Sequence, residues 1–473
     1  MGDSLQESLS YFRDSVSDCI KSKKSISITT HIDCDGLTSG SIITKALIRA
    51  GANCTVRTTK EFSSNVISDL KNDSRDFHII CDLGGGFAKE LESVLGDSWI
   101  VLDHHQTPEE EFENERVLNA WKFGIDGGKD ICAGGMTYLA ANAIDDRNSD
   151  LAAIAVISAL GDRQDQGEKK ALTGKNQGIA TDAKDQGILD IDLDLLLTGR
   201  ETRALPDALA FTSSPFIEGL TWNRDACYSL LKSSGIELKD GGRWRVPAEL
   251  NEEEKRNLID EIIQFTSGKN SNEIMKELIG YTYTFPQEDK KSFLRDAREF
   301  STMLNSCGRV SKGGVGIAVC MGDRKNILLE AENILSEYRK MIRNYMNILG
   351  NERWRTSENQ NYVMVNAEGL VPETMTGTIS SLIAGSPKNI GKIVILRTNA
   401  EENSIKFSSR KSIGCKLEIN LSEIMRAAAE RFGGIGGGHD AAAGAKITKD
   451  KLGQFLDYLE DNVINVHPPD ISQ

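Results

Sequence analysis

The apolar run Trp99-Ile100-Val101-Leu102 stops on Asp103-His104-His105, and no other stretch limits the fold of this 473-residue chain so strongly. Four apolar residues bounded by charge have the length of a buried strand, not of a helix. Three metal-competent side chains then stand where that strand ends. The theme repeats upstream. Residues 25–30 read as a strand that runs into His31-Ile32-Asp33-Cys34-Asp35-Gly36, and residues 77–82 read as a strand ending on Asp82. A further strand is expected at 54–59, and amphipathic or apolar helices at 37–50, 134–144 and 151–160. Such alternation predicts an α/β domain with a mainly parallel sheet, in which ligands collect at the carboxyl ends of the strands.

Four of the six histidines fall in three short stretches that also hold aspartates or glycines: His31, the pair His104 and His105, and His439 after Gly436-Gly437-Gly438. His78 reads as strand packing and His467 as tail. Hard divalent ions prefer carboxylates with a few imidazoles, so four aspartates and two histidines without thiolates suit manganese or magnesium better than structural zinc. Asp33 and Asp35, two apart in a turn with Gly36, can address two ions about 3.5–4 Å apart, with Asp82 bridging. Asp162, directly after the apolar helix 151–160, offers a fourth carboxylate. Paired ions favour phosphoester hydrolysis, because they acidify water and neutralise charge on the phosphoryl oxygens. At Gly436-Gly437-Gly438, bare backbone lets N–H groups approach a phosphate and His439 adds a donor; the alternative is a flexible turn over 433–438. No Lys-Ser/Thr follows, which excludes a Walker loop, and the spacing excludes a dinucleotide fingerprint.

The net charge of −14 is awkward for a protein that coats nucleic acid. Residues 341–473 hold 15 basic and 15 acidic side chains, so the whole deficit lies in residues 1–340. A polyanion groove should therefore lean on the carboxyl-terminal segment. Nine cysteines without a C-x-x-C pair argue for reduced, mostly buried thiols. No apolar run reaches the roughly 18 residues of a membrane helix, and the first residues lack a basic-then-apolar signal, so no membrane contact and a cytoplasmic location are expected.

The ordered set H-x-D-x-D-G, D-x-G, D-H-H and a later G-D resembles the DHH phosphoesterase superfamily, and G-G-G-H resembles its companion DHHA1 domain. The resemblance implies an α/β DHH catalytic domain with a mainly parallel sheet over 1–198, an inserted mixed α/β module over 199–325, a linking helix over 326–350 and an α/β DHHA1 domain over 351–473. It implies that His31, Asp33 and Asp82 hold one Mn²⁺ or Mg²⁺ and that Asp35, Asp82, His104 and Asp162 hold a second. Asp103 would orient a histidine, and His105 would contact the scissile phosphate. Lys406-Phe407-Ser408-Ser409-Arg410 resembles the S-x-R strand of DHHA1, so Ser408 and Arg410 would join Gly436, Gly437, Gly438 and His439 at one end of the substrate. Asp165 matches no family role and reads as a surface loop acid.

The roughly 150 residues between the end domains resemble the archaeal RecJ-like exonucleases of the GINS-associated type. This implies hydrolysis of single-stranded DNA or RNA to nucleoside 5′-monophosphates, with a GINS or replisome contact through the inserted module. Two alternatives stand beside it: a phosphodiesterase for short oligonucleotides or small nucleotides, and a catalytically silent replisome scaffold. Arg243-Trp244-Arg245 and Arg353-Trp354-Arg355 have the composition of base-stacking platforms. A core-anchored tryptophan with solvated charges is the ordinary reading of both.

Overall fold

The computed structural model describes residues 4–107, 114–267 and 271–464; His467 lies outside them. The chain divides into two units, Met1–Leu335 and Ser336–Gln473.

In the first unit, β1 (Ser25–His31), β2 (Asn53–Thr59), β3 (Phe77–Cys81), β4 (Trp99–Asp103) and β5 (Val117–Asn119) form a sheet in the order β2-β1-β3-β4-β5. Every neighbouring pair is parallel. It is flanked by α1 (Leu5–Lys21), α2 (Cys34–Arg49), α3 (Ser64–Asn72), α4 (Ala88–Leu95) and α5 (Ala133–Ile144), with α6 (Ala152–Gly161) and α7 (Gly174–Asp185) beyond. Because alternate strand residues face opposite sides, β3 and β4 can be apolar throughout. Ile79, Cys81, Ile100 and Leu102 pack with Phe12 of α1, Leu47 of α2 and Met136 of α5. Ile80, Trp99 and Val101 pack with Ile67 and Leu70 of α3 and Leu91 of α4.

The chain then leaves this core. β6 (Asp190–Leu195), α8 (Leu205–Phe211), α9 (Arg224–Ser233), β7 (Lys239–Asp240), β8 (Arg243–Trp244), α10 (Glu252–Phe265), α11 (Ser271–Leu278) and β9 (Ile279–Thr284) form a module with β6 and β9 paired antiparallel at its base. Its own core gathers Leu205, Leu209, Leu231, Leu258 and Leu278. The insertion expected over 199–325 is shorter as a packing unit. α12 (Ala297–Arg309) and α13 (Gly313–Cys320) return to the first core, where Phe300, Leu304 and Ile317 meet Leu37 and Ile157. α14 (Asn326–Asn351) is one continuous helix of 26 residues.

The second unit holds β10 (Thr356–Glu358), β11 (Tyr362–Asn366), α15 (Thr376–Ala384), β12 (Ile393–Ala400), β13 (Ser404–Lys411), α16 (Leu421–Arg431), β14 (Ile435–His439), β15 (Ala442–Thr448) and α17 (Leu452–Leu459). The sheet order is β10-β11-β12-β13-β15-β14, with β11 and β12 parallel and the other pairs antiparallel. Phe407, Ala445 and Ile447 face Met425 of α16 and Phe455 of α17. The flexible turn considered for 433–438 is corrected: the glycine run is strand β14, zipped to β15. A Cβ on Gly436 would lie 2.3 Å from the Met425 carbonyl oxygen, so only bare backbone lets α16 cross there.

Candidate metal centre

His31 is the last residue of β1, Asp82 follows β3, and Asp103 ends β4 with His104 and His105 behind it. Asp33 caps α2, accepting the Gly36 N–H at 3.0 Å. A Cβ on Gly36 would lie 2.4 Å from the His31 carbonyl oxygen, so glycine is what allows α2 to start hard against its strand. That turn brings Asp35 inward. The carboxylate of Asp35 accepts the N–H groups of Ala133 at 3.0 Å and Gly134 at 2.9 Å, at the start of α5, and the Ser158 hydroxyl from α6. Asp162 stands at the carboxyl end of α6.

Three groups of ligand atoms result, each within 4.8 Å: His31, Asp33 and Asp82; Asp35, His104 and Asp162; Asp82, His104 and His105. His31 Nδ1 is 3.0 Å from Asp33 and 3.6 Å from Asp82. His104 Nε2 is 3.2 Å from Asp35 and 3.3 Å from Asp82, while its Nδ1 donates to the Gly127 carbonyl at 2.6 Å. That second bond fixes the ring and turns Nε2 toward the carboxylates, as the outer partner of a ligating histidine does. Asp103 accepts the main-chain N–H of Gly85, His104 and His105 and the ring of His105 at 2.9 Å. His104 is buried, but the side chain of His105 is 57% exposed, so of these two rings His105 is the one open to solvent.

The charges are unbalanced. Burial opposes the cationic form of His31 and His104, yet the carboxylates around them hold both well above the ordinary histidine range: Asp33 and Asp82 for the first, Asp82, Asp35 and Asp162 for the second. Burial likewise opposes ionisation of Asp33 and Asp103, but the adjacent His31 and His105 keep both well below the usual carboxylate range. Asp35 and Asp162 move the other way, raised by burial and by the negative charge of Asp82. Asp82 Oδ1 is buried and takes no well-aligned hydrogen bond. Asp82 also has a left-handed backbone, φ 62°. Five carboxylates, three imidazoles and an orphaned buried oxygen fit hard divalent cations. Cys34, between Asp33 and Asp35, turns its Sγ to the Ile157 carbonyl oxygen at 3.6 Å.

Three supporting groups were not singled out by sequence. Ser158 holds Asp35. Gln164 Nε2 donates to Asp162 at 2.8 Å and to the Gly127 carbonyl at 2.8 Å, and Asn176 donates to Gln164 Oε1 at 2.6 Å. Gln164 sits inside the stretch Gly161-Asp162-Arg163-Gln164-Asp165, where attention to carboxylates hid it. Asp165 is corrected from a surface acid: it is partly buried and pairs with Arg298 of α12 at 2.7 Å.

In the second unit four of the six expected residues, Ser408, Arg410, Gly437 and His439, share one sheet face. Arg410 and His439 are both in register with Ala442, and Ser408 and Gly437 with Gly444. Gly436 and Gly438 alternate to the other face. Ser408 is buried, 2.9 Å from Ser380 Oγ of α15, and Arg410 donates to Ser381 Oγ at 3.2 Å. Of the two tryptophan clusters, Arg245 is bound to Glu254 at 2.6 Å and 2.7 Å and Trp244 packs on the module core, an anchoring arrangement. Trp354 is 71% exposed, over the Arg355 guanidinium at 4.4 Å.

Residues 25–161 match the DHH family, N-terminal domain; residues 197–279 the DHH-CID domain; and residues 360–465 the DHHA1 domain. An uncharacterized protein of Methanocaldococcus jannaschii is 30% identical over 445 residues, covering 92% of each chain. RecJ of Thermus thermophilus, solved with Mn²⁺, is similar in fold with a TM-score of 0.59 at 15% identity, covering 98% of this chain, which spans 55% of that one. CDC45 of Entamoeba histolytica is similar with a TM-score of 0.63 at 12% identity over 97% of this chain and 99% of its own.

Proposed function

Since the chain belongs to the DHH family with a companion DHHA1 domain, we propose that it is a divalent-metal-dependent exonuclease that hydrolyses single-stranded DNA or RNA to nucleoside 5′-monophosphates. The observation that carries this reading is the convergence of His31, Asp33, Asp35, Asp82, His104 and Asp162 at the carboxyl ends of β1, β3 and β4. In this reading His31, Asp33 and Asp82 hold one Mn²⁺ or Mg²⁺, and Asp35, Asp82, His104 and Asp162 the other. Bound there, the ions would supply Lewis acidity and acidify the attacking water.

The chain's own groups do the rest. Asp103 fixes the exposed ring of His105, and although burial opposes its charge, Asp103 holds it protonated up to about 9, which makes it a donor for a phosphoryl oxygen. Asp35 is immobilised from three sides, so its position survives changes in the substrate. Ser408, Arg410, Gly437 and His439 bind one end of the strand, with Gly436 and Gly438 shaping the backbone between them.

The test is product analysis on end-labelled single-stranded DNA and RNA with Mn²⁺. Nucleoside monophosphates released one at a time are expected; no cleavage of either strand defeats the proposal. The net charge of −14 favours a second reading, a phosphodiesterase for short oligonucleotides. A long-strand nuclease should weaken as salt rises, whereas dinucleotide cleavage should hardly respond. The likeness in fold to CDC45 keeps a scaffold role in view, with the inserted module as the segment to delete in a pulldown for a GINS-like partner. No helix among the described residues is long and apolar enough to cross a membrane.

A further inference from the structure

Four residues of α12, Arg298, Ser301, Asn305 and Gly308, recur at the steps that put side chains on one side of a helix. Each meets a segment that carries expected metal ligands. Arg298 donates to Asp165 at 2.7 Å, in the loop that follows Asp162. A Cβ on Gly161, the residue before Asp162, would lie 3.5 Å from Ser301. Asn305 Oδ1 accepts the main-chain N–H of Cys34 at 3.1 Å. A Cβ on Gly308 would lie 1.5 Å from the Ile32 carbonyl oxygen, so only bare backbone lets α12 run this close to the turn between His31 and Asp33. Phe300, Met303, Leu304 and Cys307 bury the helix in the core of the first unit, which sets its position independently of the ligands.

The Asn305 contact falls at the start of α2. The first N–H groups of a helix have no partner within it, and a capping side chain reaches only the second or third. Here the Asp33 carboxylate takes the Gly36 N–H, which leaves the Cys34 N–H to Asn305, 271 residues further on. The peptide between Asp33 and Cys34 is also the joint between the Asp33 and Asp35 carboxylates. Asp35 is held from α5 and α6. Asp33, by contrast, is bonded within its own turn, to Gly36 and His31. Asn305 ties that turn to a body outside it.

We propose that Asn305 is a positioning residue for the metal centre: by holding the Cys34 N–H it fixes Asp33 relative to Asp35, and so the relation between the two ion sites. This role rests on the reading that the two aspartates serve two different Mn²⁺ or Mg²⁺ ions. Asn305 acts through the main chain and needs no contact with ion or substrate.

The test compares the full-length protein with Asn305→Leu, which keeps the volume and loses the acceptor, and with Asn305→Asp, which keeps an oxygen for the Cys34 N–H. Mn²⁺ binding is measured by calorimetry well below the melting temperature of all three, and kcat and KM on a short single strand at saturating Mn²⁺. Asn305→Leu should weaken Mn²⁺ binding by about tenfold and lower kcat by a similar factor with KM little changed, as loss of an outer partner of a metal ligand does. Asn305→Asp should recover most of both. A residue that only capped α2 would lower the melting temperature and leave Mn²⁺ affinity and kcat at parental values; that result overturns the role, as does an equal loss in Asn305→Asp. Should Asn305→Leu fail to fold, Asn305→Ser, whose hydroxyl is too short to reach Cys34, carries the same expectation. If the parent binds no Mn²⁺, the two-ion reading falls and this role with it. Parental Mn²⁺ binding without hydrolysis defeats the nuclease reading alone, and the comparison of affinities still decides Asn305.

Discussion

Asp103 Oδ1 lies 2.9 Å from Nδ1 of His105, and the same carboxylate gathers three main-chain N–H groups. It holds a side chain rather than facing the substrate. Asp103→Asn should therefore lower kcat by about 10–100-fold, the usual cost of losing such an orienting partner, with a smaller change in KM. In the metal-free protein, His105 titrates at about 9 because Asp103 outweighs burial; in the variant its NMR titration should fall toward the ordinary 6.5. An unmoved midpoint would separate the two residues.

Asp82 belongs to two of the three ligand-atom groups. Asp82→Ala should abolish Mn²⁺-dependent hydrolysis, by about 10³-fold or more if both ions are lost. Turnover of the variant at the parental rate would be incompatible with the two-ion assignment.

Metal binding should expel protons. In the metal-free protein the carboxylates keep His31 and His104 protonated above the ordinary range, and Asp35 and Asp162 also hold protons more tightly than usual. Raised values mean that Mn²⁺ competes with bound protons, so affinity must rise with pH through the neutral range. Calorimetry in two buffers of different ionisation enthalpy measures the released protons directly. Equal heats in both would refute the coupling.

Gly134→Ala tests the support of Asp35 without touching a ligand. The added Cβ would lie 2.0 Å from Ser158 Oγ, so Ser158 or α5 must give way. Overpacking of this kind costs about 1–3 kcal/mol. A lower melting temperature with weaker Mn²⁺ binding is expected, and binding unchanged by isothermal titration would show that Asp35 does not depend on this contact.

Most of the first unit was legible because its signals are local. The apolar runs at 99–103 and 77–82 could only be strands covered on both faces, and their ends fixed where chemistry could lie. What stayed hidden depends on contacts distant in sequence. Ser158 and Gln164 matter through Asp35 and Asp162, and no spacing announces that. α12 and α13 look like part of the insertion until Phe300 and Ile317 are seen packed on the first core. β14 and β15 escaped notice because glycine and alanine carry weak strand propensity. Their pairing is set by the hairpin and by α16 needing bare backbone at Gly436.

The left-handed turn at Asp82 has an evolutionary corollary. Asparagine and glycine settle into that backbone geometry at least as comfortably as aspartate. A single base change could therefore silence the chemistry while the architecture went on folding undisturbed, which is a short road from working enzyme to inert building block. Here the acid is still in place.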